Sequence, residues 1–184
     1  MPVFIDGHHL ITPTSVAKTG TGSTATINTN GSVTFLSCAT LSLNGVFSAD
    51  YDNYMIVARH STTADYSWNI RFRVSGTDNS TASSYVYQYV FGDSTTVSGA
   101  RTTSNWATFS ARGNTQRGGV VGSVYGPFLA QPTAYRSDLA DDYLNAALTS
   151  FVGTHNQSTS YDGLTFHAAA SSFSGLVCVY GAVK

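Results

Sequence analysis

Glutamate is missing from this chain of 184 residues, and lysine occurs only at Lys18 and Lys184. Charged residues make up 10% of the sequence, against about 25% in an ordinary soluble domain. Because glutamate and lysine are the usual residues of exposed helices, their scarcity argues against a helical protein. Serine and threonine, about a quarter of all residues, take their place, together with 17 glycines and 11 tyrosines. This composition predicts β-structure with an uncharged, hydroxyl-rich surface.

Other absences narrow the classes of partner. The net charge of -1 gives no general attraction to nucleic acid or to anionic lipid. The first residues lack the features of a secretory signal, and no apolar run approaches the roughly 20 residues of a membrane span. We therefore expect no nucleic-acid partner and no membrane insertion. A bridge between Cys38 and Cys178 is conceivable, but two buried thiols in a reducing compartment are the favoured interpretation.

The chain divides into two parts by composition. In residues 1–31 a short apolar opening is followed by Thr12 to Gly31, which is almost entirely Thr, Ser, Gly, Ala and Asn and buries too little apolar surface to order alone. We expect this part to be an extended arm that attaches to a partner through its scattered apolar side chains. These are Val3, Phe4, Ile5, Val16 and Ile27. The turn dipeptide Asn30-Gly31 marks the boundary with a domain over residues 32–184.

From Ser32 onward, apolar and polar residues alternate with period two, which is typical of half-buried strands. The best example has apolar residues on one face and polar residues on the other. The apolar set is Trp68, Ile70, Phe72 and Val74, and the polar set is Asn69, Arg71 and Arg73. Eight or so such strands, separated by polar turns, predict an all-β, jelly-roll-like β-sandwich.

One segment fits a different period. From Tyr135 to Phe151, apolar residues recur at spacings of three and four, with Ser137 placed as a possible cap. This pattern predicts a helix, and a loop-strand-loop is the alternative.

Several short motifs could carry catalysis or bind metal, but each has a simpler interpretation. Gly92-Asp93-Ser94, with Asp162 and His167 as partners, resembles a serine nucleophile block; a turn is favoured. His8-His9, the oxygen-rich Asp50-Tyr51-Asp52-Asn53 and Asp141-Asp142 lack a usual metal-site spacing. We expect no enzyme, no metal and no cofactor.

Three tyrosines share one face of a predicted strand: Tyr85, Tyr87 and Tyr89. Tyrosine is large, rigid and amphipathic, so this row fits a core, a contact between subunits, or a platform for sugar rings.

The chain resembles a family of small virion proteins of tailed bacteriophages. The resemblance covers about residues 35–90 and the last ten residues; about 92–172 do not contribute. It is carried by a phenylalanine, a Tyr-x-x-Tyr pair, a strand ending in Arg-x-x-Gly, a later tyrosine and a final Val-Tyr-Gly. Here these are Phe47, Tyr51 and Tyr54, Arg73 to Gly76, Tyr85, and Val179-Tyr180-Gly181.

This resemblance implies a non-enzymatic bacteriophage structural protein, made in the host cytoplasm and located in the virion. We expect a minor tail or fibre component, attached through its arm to other virion proteins, that contacts the host surface, with a surface glycan as a candidate ligand. The resemblance also implies a homo-oligomer, expected to be a trimer. A capsid decoration protein that stabilises the head, and a carbohydrate-binding module, are the alternatives.

Overall fold

The computed structural model describes residues 4–5, 7–64, 66–93, 95–113, 118–140, 148–168 and 170–182. Regular structure within these ranges is all β-strand, arranged as two antiparallel sheets that form a sandwich. The predicted all-β sandwich is therefore confirmed. The strands are β1 (Phe4–Ile5), β2 (His8–Ile11), β3 (Ser15–Thr19), β4 (Thr24–Ile27), β5 (Val33–Cys38), β6 (Thr40–Asn44), β7 (Asn53–Thr62), β8 (Tyr66–Val74), β9 (Thr77–Asp78), β10 (Tyr85–Asp93), β11 (Thr96–Ser104), β12 (Ala107–Gly113), β13 (Gly118–Tyr125), β14 (Thr133–Ala140), β15 (Leu148–His155), β16 (Gly163–Ala168) and β17 (Phe173–Ala182).

The larger sheet has eleven described strands, and its main path runs β1-β2-β17-β7-β13-β14-β15-β10-β11. Strand β17 organises one end, because β7 pairs with one of its edges and two N-terminal strands share the other. Its first half pairs with β5, which also pairs with β4, and its last residues pair with β2. The two ends of the chain are thereby hydrogen-bonded into one sheet.

The smaller sheet has the order β12-β8-β16-β6-β3, with β9 paired to β8. Strand β8 is the segment whose alternation was clearest, and Trp68, Ile70 and Phe72 are fully buried as expected. Its polar face is more covered than the pattern predicted, since Asn69 and Arg73 are also buried. At the end of the strand the burial pattern reverses, and Val74 is 36% exposed.

The core between the sheets is built around Trp68. Its ring stacks on Phe166 of the neighbouring strand β16, with centroids 4.0 Å apart and planes 13° apart. Phe173 and Phe109 meet the same indole edge-on, at 5.6 and 6.4 Å. Each large aromatic ring buries about 150–250 Å², so this cluster compensates for the shortage of other strong interactions in a charge-poor chain.

Four of the residues that carry the resemblance form a second group, here named the Tyr54 cluster: Phe47, Tyr54 and Gly181, which are buried, and Tyr51, which is half-buried. The Phe47 and Tyr54 rings meet edge-on at 4.7 Å, and the Tyr54 hydroxyl donates to the Ser48 carbonyl at 2.9 Å. Gly181 pairs with Tyr54 across β17 and β7, and its Cα faces the Tyr51 ring. The cluster therefore fixes the loop before β7 against the C-terminal strand.

Arg73 joins the β8–β9 hairpin to β16 through a hydrogen-bonded network of Arg73, Gly76, Asp78 and Thr165, here named the Arg73 clip. Its guanidinium lies 3.4 Å from the Asp78 carboxylate and donates to Thr165 Oγ1 at 2.7 Å and to the Gly76 carbonyl. Thr165 Oγ1 in turn donates to Asp78 at 2.6 Å. This network explains why a charged side chain on the polar face of β8 is buried, since a buried charge needs both a counter-charge and hydrogen bonds.

The described strands of the N-terminal segment pair with the rest of the sandwich or with each other. Strands β2, β3 and β4 bond to β17, β6 and β5 of the same chain. Val16 and Ile27 pack partly buried against their own core. Phe4 and Ile5 form β1, which pairs with β2, while Val3 lies outside the described residues. Attachment of this segment to another virion protein stays a prediction.

The helix predicted from Tyr135 to Phe151 is wrong. The segment begins in β14 and ends in β15, which pair with each other, and residues 141–147 lie outside the described part. The inward side chains of β14 are Tyr135, Ser137 and Leu139, all buried at alternate positions. The spacing of three and four arose because two short strand patterns were read as one continuous helical stripe.

Both cysteines are unbridged, with Cys38 buried and Cys178 partly buried. Burial raises the pKa of each thiol. Within the described ranges, no helix has the length and apolar character needed to cross a bilayer.

Candidate functional site

Among the described residues, the larger sheet extends past the smaller one at β10 and β11, where part of its inner face is accessible to solvent. Along β10 the inward side chains become steadily more accessible. Tyr85 is 0% exposed and Tyr87 is 8% exposed. Tyr89 and Phe91, further along the strand, are half-buried, and β11 is exposed over most of its length.

The uncovered face forms a cleft of about 370 Å³, here named the aromatic cleft. This volume lies in the range of about 300–1,000 Å³ that is usual for ligand sites. Strands β10 and β15 supply aromatic rings, while β8, β11, β12 and β15 supply hydroxyl groups. The described lining residues are Tyr87, Tyr89, Phe91, Phe151, Ser67, Ser98, Thr102, Thr108 and Thr149.

Tyr87 is held at the inner end of the cleft. Thr108 Oγ1 lies 3.0 Å from the Tyr87 hydroxyl and 3.0 Å from Asn69 Oδ1. These contacts form a buried hydrogen-bond network that joins the two sheets. The Thr108 carbonyl accepts a further bond of 3.0 Å from the Tyr135 hydroxyl. Because these bonds fix the ring before any ligand arrives, this end of the cleft is preorganised.

Tyr89 and Phe151 form the aromatic floor. Their ring centroids are 5.7 Å apart with planes inclined by 45°, and Phe151 also meets Tyr87 at 6.4 Å. Phe151 is 2% exposed, so it supports the other rings from below. Tyr89 is the half-buried member of the three and presents its ring toward the cleft.

Tyr85 does not belong to this surface, so its prediction as a ligand or subunit contact is corrected. The ring is fully buried and stacks on His155 at 4.1 Å. Its hydroxyl accepts from the Phe72 amide and donates to the Asn79 carbonyl, each at 2.9 Å. Burial raises the pKa of this phenol well above its usual value. The tyrosine row therefore runs from the core at Tyr85 to the cleft at Tyr89.

The motifs considered for catalysis have structural contacts in the described residues. Asp162 accepts from the Ser75 amide at 2.9 Å, and the His167 ring meets Trp106 edge-on at 5.9 Å. Burial, with the nearby Arg71 charge, lowers the pKa of His167 to about 4. Ser94 lies outside the described residues, as do Asp141 and Asp142.

Metal binding has no support in the described part of the chain, where no three His, Cys, Asp or Glu side chains group together. His9 Nδ1 hydrogen-bonds with the Tyr51 hydroxyl at 2.6 Å, which joins the predicted arm to the Tyr54 cluster. In the oxygen-rich loop, Asp50 pairs with the Ser48 hydroxyl at 3.1 Å. Its amide bonds to the same hydroxyl, as expected for a turn.

Sequence reasoning found two of the nine described lining residues of the cleft, Tyr87 and Tyr89, and missed the other seven. Phe91 continues the alternating row of β10 and could have been found from the same pattern as Tyr89. Phe151 and the hydroxyl residues could not, because their strands reach the site only through the tertiary fold. The register Tyr89↔Phe151 and Tyr89↔Ala100 brings three strands together that are far apart in sequence. A period-two pattern on β10 signalled the tyrosine face, but it could not show which strands lie beside it.

Comparison with known proteins adds no assignment. No family model matches the chain, and no curated protein matches it. Among solved structures, the catalytic domain of PdAgaC has a TM-score of 0.25 at 11% identity, with 98% of this chain and 78% of that chain covered. The laminarinase catalytic domain of Thermotoga maritima gives 0.27 at 9% identity, with 100% and 81% covered. The endo-beta-1,3-glucanase of Pyrococcus furiosus gives 0.29 at 11% identity, with 98% and 77% covered.

Proposed function

We propose that this chain is a non-enzymatic structural protein of a tailed-bacteriophage virion, a minor tail or fibre component whose sandwich contacts the host surface. The observation that carries the proposal is the Tyr54 cluster. Residues quoted for the resemblance from two distant parts of the chain, before β7 and at the end of β17, meet in one buried contact. Because the residues that this chain has in common with the virion family contact one another, a common fold explains the resemblance better than a chance similarity of sequence.

The second part of the shared pattern supports the same proposal. Arg73 and Gly76, from the Arg-x-x-Gly motif, hydrogen-bond to each other within the clip at the β8–β9 hairpin. Both motifs thus serve the scaffold, and neither supplies a reactive group. Binding would come from the exposed face of that scaffold, where the aromatic cleft presents rings and hydroxyls.

Attachment to the particle is proposed through the N-terminal segment. Strand β1 lies at the end of the larger sheet, where an added strand from a neighbouring protein would continue the hydrogen-bonding pattern. The weak net charge of -1 suits a protein that functions inside an assembly, since it provides little repulsion between copies.

Immunogold electron microscopy of intact particles of the phage that encodes the chain tests the proposal. The antibody would be raised against residues 32–184, with particles lacking the gene as the matched control. Label at the tail is the expected result. Label spread over the head would replace the tail assignment with capsid decoration. No label on any particle would overturn the virion role.

A free carbohydrate-binding module is the second candidate function, and the aromatic cleft is the observation that favours it. An absence of label, combined with saccharide binding by the isolated chain, would establish this candidate in place of the first.

A further inference from the structure

We propose that the aromatic cleft binds an uncharged saccharide chain, with the Tyr89 ring stacking on a sugar face and the hydroxyls of β11 bonding to its rim. As a host-surface contact, this inference rests on the proposed function. The binding itself is a property of the cleft, and it is measured without reference to the position of the protein on a particle.

The first argument is the mixture of groups in the lining. A pyranose ring has C–H groups on its faces and hydroxyls around its edge, so it needs an apolar platform flanked by donors and acceptors. Tyr89 over Phe151 provides the platform, and the hydroxyls of Ser98 and Thr102 stand on the neighbouring strand β11. Serine and threonine hydroxyls both donate and accept, which matches sugar hydroxyls in either role.

The second argument is charge. The described lining of the cleft contains no ionisable side chain apart from its tyrosines. Arg101 of β11 borders a second groove, lined by Gln88 and Val90 on the other face of the sheet and also reached by Tyr89. A phosphate, uronate or other charged ligand would lose hydration on entering the cleft without meeting an opposite charge among the described lining residues, and that loss is costly. The chemistry therefore favours a neutral saccharide.

The third argument concerns shape and preorganisation. The site is concave, and Tyr87 is already fixed by its bond to Thr108. A stable contact between subunits takes about 20–30 residues on each partner, whereas the described lining of the cleft consists of nine residues. A short oligosaccharide fits this space better than the surface of a second protein chain.

The test is calorimetric titration of the full chain with neutral hexasaccharides, namely cellohexaose, maltohexaose and the N-acetylglucosamine hexamer. Hyaluronan hexasaccharide serves as the charged probe. Three variants are compared with the unmodified chain: Tyr89→Ala, Thr102→Val and Val90→Ala. Val90 is the matched control, because it follows Tyr89 on the same strand but its side chain is 53% exposed on the opposite face. Thermal unfolding confirms that each variant is folded.

We expect saturable binding of at least one neutral hexasaccharide. Tyr89→Ala should weaken it by roughly tenfold or more and Thr102→Val by several-fold, while Val90→Ala should leave it unchanged. Binding of none of the neutral probes, or of the charged probe alone, would overturn the ligand class. Equal binding by Tyr89→Ala and Val90→Ala would overturn the location. A change in oligomeric state caused by Tyr89→Ala, without saccharide binding, would identify the cleft as a subunit contact.

The two proposals fail separately. Particles labelled at the tail whose protein binds no saccharide would retain the virion role and reject the ligand. Saccharide binding by the chain, together with no antibody label on any particle, would retain the ligand and reject the virion role.

Discussion

His155 gives the sharpest prediction about stability, because it is a titratable ring buried among aromatic groups. It is 0% exposed, and its ring stacks on Tyr85. Its Nδ1 lies 3.2 Å from the Ser84 carbonyl, and its Nε2 lies 2.5 Å from the Tyr161 hydroxyl. A neutral ring satisfies both contacts, with Nδ1–H donating to the carbonyl and Nε2 accepting from the phenol. Burial lowers the pKa of His155 from 6.5 to about 4.

The sign and size of the effect follow from this pKa. In the unfolded chain the imidazole takes up a proton as the pH falls through 6.5, while in the folded chain it resists until about pH 4. The contribution of the neutral His155 ring to the free energy of unfolding is therefore fully present above pH 6.5, and it is lost progressively as the pH falls from 6.5 to 4. One pKa unit corresponds to about 1.4 kcal/mol, so His155 alone should remove about 3 kcal/mol over this window.

Urea unfolding at pH 7.5 and pH 4.5 measures the effect, with His155→Gln compared with the unmodified chain. The unmodified chain should lose more stability between the two pH values than the variant, by most of that 3 kcal/mol. Tyr161→Phe is the matched control: it removes the hydroxyl partner and lowers stability at both pH values, by about 1–3 kcal/mol, but keeps most of the pH dependence, because burial is the main cause of the lowered pKa. If His155→Gln and the unmodified chain lose equal stability, burial does not control this imidazole and the reasoning is refuted.

Three further predictions concern packing, and urea unfolding checks each. Gly181→Ala places a Cβ 2.4 Å from a carbon of the Tyr51 ring and should lower the free energy of unfolding by about 1–3 kcal/mol through overpacking. Gly119→Ala is its control, because the nearest atoms are 4.0 Å away, and it should cost less than about 1 kcal/mol. Arg73→Ala should lower the free energy of unfolding by about 2–3 kcal/mol. This is less than the cost of breaking a fully buried ion pair, because the Asp78 carboxylate is 28% exposed. Trp68→Ala should cost about 3–5 kcal/mol, and a loss below 1 kcal/mol would contradict its central place in the core.

The fold class was predictable from composition and alternation because both report directly on backbone pairing. Residues of β8 such as Ile70 and Phe72 show period two, and a strand is the only element that places them on one face. The burial of Arg73 was not predictable, because its partner Asp78 is supplied by the short strand β9 and Thr165 by a strand that is ninety-two residues away. The alternation of apolar and polar residues describes a single strand, and it does not show which other elements cover that strand.

The segment around Leu139 shows the opposite failure. Two strands that each have an inward face were combined into one helical stripe, because the break between β14 and β15 carries no glycine or proline to mark it. Phe151 was consequently assigned to a helix face rather than to the floor beneath Tyr89. Most of the aromatic cleft could not be predicted for the same reason: its second wall depends on which strands pair with β10.

The division of the chain between scaffold and cleft bears on how such a protein would change. The Tyr54 cluster and the Arg73 clip include the residues that resemble the virion family. Most of the cleft lies in β11, β12 and β15, within the region where that resemblance is absent. Function resides in sites placed on folds rather than in folds themselves. On the proposed function, proteins that share the first set of residues should keep this sandwich, and those that differ in the second should bind different surface saccharides. Replacing Thr102 or Ser98 should therefore alter which saccharide binds while leaving the free energy of unfolding within about 0.5 kcal/mol.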